Sequence, residues 1–595
     1  MRSIFKIISA GLLAIIGCSL LSFHNHPAPV SESIRKTLVL QADSFSTAVQ
    51  QLQSALLNAH NKQTLQRRFR ETRLAYKRME WATEYFDPLT SRSVNGPPVP
   101  ETEPSGQVIL PQGLQVIEEL LFPRVAPSSQ NELADLLNKL LVNAREYQSY
   151  FERATLHDWQ IMDATKLEIF RIEALGLNDF DDPLSQRCFA ESAAAMGSVY
   201  EATIRYKPDN KYLYELSAKA ISYLNHPVGP DRFDRAKFLT DYCNPLTREL
   251  TRLQKQLNLA NIRYNRLLNQ DAATLFDSDA FNRNAYTAAP EDSVTAEKIT
   301  LGKKLFFDTR LSGTMTRSCA SCHQPAKAFT DGLVKNLDIT GKKTILRNTP
   351  TLINAALQPA QFYDLRAPSL EDQVNNVVNN RDEMHGDMKI STKKFWQDKV
   401  YQKLFAEAFP SKNRVSIDTA EIMNALASYI RSLTLLNSRF DIYMRGDQSA
   451  LNQSEVKGFN LFMGKARCST CHYLPLFNST IPPRYMQMEA EVIGVPKTAK
   501  SKYIDPDPGL FAIQPQKFNR HAFKVTTVRN AAKTAPYMHN GVYNSLDEVM
   551  DFYNKGGGAG MGLKVPNQTL SPAPLKLTAK EKHELIDFIK SLNSQ

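Results

Sequence analysis

The pattern Cys-x-x-Cys-His occurs twice, as Cys319–Ala320–Ser321–Cys322–His323 and as Cys468–Ser469–Thr470–Cys471–His472. Each copy places two thiols where they add across the vinyl groups of a haem. The histidine that follows can reach the iron from the same turn. Each copy therefore commits its part of the chain to enclosing a macrocycle. The chain has only seven cysteines, and these motifs use four. Two covalently bound c-type haems are the expectation.

The beginning of the chain points to export. Met1–Phe23 has a basic start at Arg2 and Lys6, followed by the apolar run Ile7–Leu21, the form of an export signal rather than of a folded element. Ile15–Ile16–Gly17–Cys18 looks like a bacterial lipobox, which would leave Cys18 as a lipid-modified N-terminus. An uncleaved anchor and simple secretion are the alternatives. The expected location is periplasmic or cell-envelope, on the membrane through the lipid at Cys18. No later stretch is long and apolar enough to span a bilayer. Cys188 and Cys243 remain, either as a disulfide, which an oxidising compartment permits, or as two buried thiols.

The net charge of +11 arises from 72 basic residues dispersed among 61 acidic ones. There is no basic stripe interleaved with aromatics and no nucleic-acid motif, so nucleic acid is excluded as a partner. A positive face could steer an acidic redox partner or meet anionic lipid; an ordinary solvated surface explains the charge equally well.

At 595 residues the chain exceeds what one core usually serves. Residues 24–33 read as a polar tether. From 34 to 268 the pattern is helical: Leu38, Phe45, Val49, Leu52 and Leu56 recur on one face, and similar runs cover 113–145, 151–175, 187–225 and 231–268. A loop rich in proline, glycine and serine occupies 87–110, and 269–296 reads as a linker. Residues 297–450 and 451–595 each hold one haem motif. Arg347–Asn348–Thr349–Pro350 follows the first motif and Val528–Arg529–Asn530 the second, which suggests two related haem domains. The expected fold is mainly α: an N-terminal helical-bundle domain followed by two cytochrome c-like haem domains.

Three stretches carry a family resemblance. Leu301–Leu311 (LGKKLFFDTRL) leads into SCASCHQPAKAFTDG and RNTPTLINAA, and residues 523–557 read FKVTTVRNAAKTAPYMHNGVYNSLDEVMDFYNKGG. Together, over about 297–590, they resemble the bacterial di-haem cytochrome c peroxidase and MauG superfamily. The resemblance implies a peroxidatic first haem with His323 as proximal ligand, and a relay haem held by His472. It places Glu383 as the distal carboxylate and Gln373 as the distal amide. A carboxylate within hydrogen-bond reach shuttles a proton between the two peroxide oxygens, and an amide holds peroxide and water. It also implies a calcium ion between the haem domains, held by Asn348, Thr534 and Pro536 through oxygens of the kind a hard cation prefers, and Arg347 at a haem propionate, with Arg366 there or in an ordinary salt bridge.

The departures from the family are as informative. Peroxidase members close the resting first haem with a mobile histidine, but Thr340 holds that position, and 333–346 contains no histidine or methionine. An open first haem that needs no reductive activation is expected. Tyr553 stands where peroxidases place a methionine ligand to the second iron, with Met550 and Met538 as competitors. A phenolate stabilises high oxidation states, and MauG-like proteins use a tyrosine there. Tyr363 replaces the tryptophan that relays electrons between the haems, and must lose a proton when it does so. His539 is expected to organise the second pocket; His521, His385, His60, His157 and His226 have no ligand role.

In the N-terminal half, Asn95–Pro98 and Pro111–Glu118 resemble imelysin-like helical domains. Gln115 replaces the histidine of their Gly-x-His-x-x-Glu, so a scaffold or docking role is expected, with Glu118 and Glu119 ordinary helix residues. The leading functional expectation is reduction of hydrogen peroxide to water with electrons from a small redox protein or quinol-linked donor. The alternatives are MauG-like oxidation of a tyrosine or tryptophan in a partner protein, and a haem protein that only transfers electrons.

Overall fold

A computed structural model describes residues 29–595, apart from 59–61, 103–105, 125, 228, 263–264 and 411–413. The export segment, Cys18 and His60 lie outside the described residues. The fold is mainly helical. Among the described residues the strands are two short antiparallel pairs, Glu101–Thr102 with Val108–Ile109 and Ala490–Glu491 with Phe523–Lys524. No described helix is long and apolar enough to cross a membrane.

The first helix, Val30–Asn58, buries Ile34, Leu38, Ala42, Phe45, Val49 and Leu52. Steps of three and four residues put these on one stripe, which packs on Leu133, Leu137, Leu140, Ala144 and Phe151 of Gln130–Arg153. Each large apolar side chain buried there contributes about 1.5–3 kcal/mol of transfer free energy. Proline divides the longer predicted runs. The run 113–145 breaks at Pro123 between helices Leu114–Leu121 and Gln130–Arg153, because proline disfavours helix at the residue before it. The run 187–225 breaks near Pro208, where the Asn210 side chain caps the new helix by accepting from the Leu213 amide.

The two haem-bearing halves repeat one device. Helix Ala296–Phe306 crosses Thr419–Ser432 so closely that a Cβ on Gly302 would lie 1.9 Å from the Ala425 carbonyl oxygen. Helix Gln453–Met463 crosses Ala579–Ser591 in the same way, with a Cβ on Gly458 falling 2.0 Å from the Glu584 carbonyl oxygen. Only glycine permits either approach. The repeat continues beyond each motif, in a register that differs from the sequence pairing of Arg347–Pro350 with Val528–Asn530. Thr351–Leu352–Ile353–Asn354–Ala355–Ala356 matches Thr527–Val528–Arg529–Asn530–Ala531–Ala532. Both threonine hydroxyls donate to a carbonyl, of Ala328 and of Leu476, and both asparagines are left-handed, at φ 62° and 61°. Ser369 and Ser545 then cap helices Leu370–Asn379 and Leu546–Asn554.

The first haem half encloses its own core around Leu301, Leu305, Val374, Val378, Ile422 and Leu426. The core of the second half is continuous with that of the N-terminal helices. Phe276, in the stretch 269–296 that composition marks as a linker, packs edge-on against Phe440 with ring centroids 5.8 Å apart, and its carbonyl accepts from Arg445 Nε at 2.6 Å. The Asn244 side chain donates to the Met444 carbonyl at 2.8 Å. Cys188 and Cys243 are both buried free thiols, which decides between the two alternatives left by the sequence.

Candidate haem sites

Ser318 starts the turn Cys319–Cys322, and its box with Ser321 satisfies amides at both ends. The His323 amide donates to the Cys319 carbonyl at 2.9 Å, and Nδ1 lies 2.9 Å from the Phe329 carbonyl. A carbonyl only accepts, so Nδ1 carries the hydrogen and Nε2 keeps its lone pair for a metal. The second motif repeats this geometry. His472 donates its amide to Cys468 at 2.9 Å, and its Nδ1 lies 3.1 Å from the Phe477 carbonyl. Burial keeps both imidazoles neutral: His323 is lowered, and His472 falls to about 4. Burial also raises the thiols, to about 12 at Cys319, 11 at Cys322 and 12 at Cys468. Paired neutral thiols in apolar surroundings beside an imidazole with a free Nε2 fit a covalently attached haem.

Beside the first motif, Glu383 follows helix Leu370–Asn379. Asn380 Nδ2 donates to Glu383 Oε1 at 2.6 Å. Burial raises the Glu383 carboxyl, while Arg366, the Asn380 hydrogen bond and Arg317 oppose the rise. Its charge in turn raises the thiol of Cys322, which sets the carboxylate near the haem attachment turn. Gln373 lies half-buried in the first turn of helix Leu370–Asn379, whereas Asn380 follows the helix in extended conformation. An open cavity of about 330 Å³ is lined by Arg366, Asn375, Asn376, Asn379 and Asn380; Glu383 and Gln373 are not on its wall, and Asn380 links it to the carboxylate. Arg317 ties the parts together, donating to the carbonyls of Glu383 at 3.3 Å and Asp338 at 2.8 Å.

Thr340 is exposed, and its hydroxyl donates to the Asp338 carboxylate at 2.8 Å. The same carboxylate accepts from the Lys342 amide, and the Ile339 amide donates to the Asp382 carbonyl at 2.8 Å. The loop that would carry a closing ligand is thus fastened down.

Between the halves, Tyr363 accepts at its carbonyl from the Lys524 amide at 2.7 Å. Burial raises its phenol well above the ordinary value, partly offset by Arg347. Arg347 donates to Asp507 at 2.7 and 2.9 Å and to Asp364 at 2.6 Å. The guanidinium expected at a propionate thus also bridges the two halves, and these three bonds leave two of its five N–H donors for a propionate. Arg366 also pairs with Asp364 and stacks over Phe362 at 3.5 Å. The Asn348 amide donates to the His539 carbonyl at 2.7 Å, while its side chain donates to the Leu333 carbonyl at 2.8 Å. Thr534 donates its hydroxyl to the Ala531 carbonyl at 3.3 Å, and Pro536 follows a cis peptide bond. His539 stacks on Phe523 at 3.6 Å and lies 3.4 Å from Asp505, a structural setting.

At the second motif, burial raises the Tyr553 phenol, and the thiols of Cys471 and Cys468 add to the rise. Met550 is buried in the apolar core. The same pocket holds two carboxylates that the sequence reading missed. Glu489 accepts from the Tyr473 hydroxyl at 2.9 Å, and burial with the neighbouring Glu489 pushes Glu491 to about 7. Their spacing of two on an extended segment was the available signal. Asn380 and Arg317 were also missed; the only local clue was Asn380 in the turn before Glu383. In the N-terminal half, Gln115 and Glu118 serve the backbone: Gln115 donates to the Asn95 carbonyl at 2.9 Å, and Glu118 accepts from the Ser185 amide at 2.5 Å.

Residues 296–449 match the family model for di-haem cytochrome c peroxidases. A cytochrome-c peroxidase, IdrP2, of Denitromonas iodatirespirans is 31% identical over 328 residues, 52% of this chain and 85% of its own. The chain belongs to the di-haem cytochrome c peroxidase and MauG family. The methylamine utilization protein MauG of Methylorubrum extorquens is 34% identical over 327 residues, covering 55% of this chain and 86% of its own. The cytochrome c551 peroxidase of Nitrosomonas europaea is 34% identical over 262 residues, 44% of this chain and 73% of its own. A crystallised MauG-like protein associated with microbial copper homeostasis is 30% identical, covering 52% of this chain and 92% of its own at a TM-score of 0.46. As a family member the chain is an oxidoreductase of the di-haem peroxidase type, with c-type haems at its two motifs.

Proposed function

We propose that this chain is an exported peroxidase that reduces hydrogen peroxide to water with electrons from a small redox protein or a quinol-linked donor. The observation that carries the reading is Glu383, held at 2.6 Å by Asn380, which itself lines an open cavity, and tied through Arg317 to the start of the first attachment turn. When bound at His323, the haem supplies the iron that takes up peroxide and electrons. Glu383 accepts a proton from one peroxide oxygen and returns it to the departing one, while Gln373 holds peroxide and water. Tyr363 relays electrons from the half that holds His472, giving up its proton as it does so.

Thr340, exposed and bonded to Asp338, stands where peroxidases carry a closing histidine, which supports an open resting state. Low-temperature EPR of the fully oxidised protein tests this. A high-spin ferric signal beside a low-spin one, both falling after one equivalent of peroxide without reductant, is the expected result. Two low-spin signals inert to peroxide would sink the reading.

A second reading, MauG-like oxidation of a tyrosine or tryptophan in a partner protein, is favoured by Tyr553, whose phenol feels the thiols of Cys471 and Cys468. A modified side chain on a co-purifying protein would select it. Calcium at Asn348, Thr534 and Pro536 is part of the proposal. The Asn348 Nδ2 is engaged with Leu333, so Oδ1 is the atom left for a cation. Anchoring through lipid at Cys18 rests on the sequence pattern alone. The N-terminal helices act as a scaffold braced on the second haem half.

A further inference from the structure

The loop after the π-turn Ile172–Gly176 carries Asp179 and Asp182, and Cys188 opens the helix Cys188–Thr203. One ligand atom from each of these three side chains lies within 4.8 Å of the other two, a grouping found nowhere else among the described residues. Asp182 is 0% exposed; its Oδ2 accepts from the Arg187 amide, and its Oδ1 has no partner. A buried carboxylate oxygen without a partner is costly unless it is protonated or met by a cation.

No guanidinium hydrogen-bonds to Oδ1. Arg73 pairs with Glu191 at 2.5 and 2.7 Å, leaves its Nη1 without a partner and acts on Asp182 only through its field. Arg235 donates to the carbonyls of Leu177 at 2.8 Å and Pro230 at 3.1 Å. Burial raises both the Asp182 carboxyl and the Cys188 thiol, and neighbouring acids, Glu191 for the first and Asp179 for the second, add to the rise.

We propose that Asp179, Asp182 and Cys188 form a binding site for one divalent transition-metal cation of the zinc class. One thiolate and two carboxylates in a buried pocket are donors that Zn2+ accepts in tetrahedral geometry. Binding displaces the protons of Cys188 and Asp182 and leaves a fourth position on the ion. The site lies in the N-terminal half, outside the haem centres and the calcium position. Its loop also reaches the second haem motif. Asn178 Nδ2 donates to the Ser469 carbonyl at 3.1 Å, and Phe180 packs edge-on against Tyr473 with centroids 5.7 Å apart. The ion would brace the segment that covers the second attachment turn.

The test uses the full-length protein carrying both haems. It is dialysed against excess zinc sulfate and then against metal-free buffer, and its iron and zinc are counted by plasma mass spectrometry. One zinc for each pair of haem irons is expected. Asp182→Asn and Cys188→Ser should each lower retained zinc about tenfold or more while keeping the iron content and helical circular dichroism. Should a variant not fold, zinc-edge X-ray absorption of the wild-type protein decides, with one sulfur neighbour expected at about 2.3 Å. That neighbour should persist in Cys243→Ser. No retained zinc, equal retention by folded variants, or a shell of nitrogen and oxygen only would overturn the proposal, and Asp182 would then be a protonated buried acid.

Discussion

Asn380 holds Glu383 through a 2.6 Å hydrogen bond from its side-chain amide to Oε1. The bond stabilises the ionised carboxylate against burial, which raises the Glu383 proton affinity. Its removal moves that affinity further up. Asn380→Ala should therefore shift the acid limb of the peroxide-reaction pH profile to higher pH, and below that limb the reaction should slow. Glu383→Gln should slow the reaction by about 10²–10⁴, the usual contribution of a positioned acid–base group. Stopped-flow measurement across pH checks both. An unshifted limb in Asn380→Ala would show that the hydrogen bond does not tune the carboxylate.

The Tyr553 phenol feels the thiols of both cysteines of the second motif. Replacing a phenolate donor with a thioether favours ferrous iron, so Tyr553→Met should raise the potential of one haem and leave the other unchanged. Spectroelectrochemical titration reads this directly. Two unchanged potentials would exclude Tyr553 as a ligand.

The glycines at the helix crossings should tolerate no side chain. A Cβ on Gly302 meets the Ala425 carbonyl at 1.9 Å, and one on Gly458 meets the Glu584 carbonyl at 2.0 Å. Backbone cannot swing aside as a side chain can, so Gly302→Ala and Gly458→Ala should each cost about 1–3 kcal/mol or more. A lowered melting temperature and reduced recovery of haem-loaded protein are the readouts. Gly106, with open space around its Cβ position but φ at 86°, should respond less.

Arg347 joins Asp364 of the first haem half to Asp507 of the second. Its removal strands Asp507, 1% exposed, and leaves Asp364 with Arg366 alone; losing one partner of such a buried network costs about 3–5 kcal/mol. Arg347→Met should lower the denaturation midpoint, with loss of the contact between halves. Arg347→Lys should restore only part of it, since an ammonium cannot serve both carboxylates with paired donors. A midpoint equal to wild type in Arg347→Met would remove the clamp from the account.

The sequence by itself determined what is local. Two five-residue motifs specify the attachment turns, because thiols and imidazole lie within one turn of each other. Capping pairs such as Asn452 with Glu455 and Ser545 with Glu548 mark helix starts for the same reason. Proline at 123 and 208 was legible as well, although the apolar pattern on either side concealed the breaks. The tertiary structure alone decided what depends on residues distant in the chain. Arg317 reaches Glu383, Asn178 reaches Ser469, and Arg347 clamps Asp507. It also joined the N-terminal helices and the second haem half into one core. An apolar face is written in the periodicity of a helix, but its partner is set by which other face the folded chain brings against it.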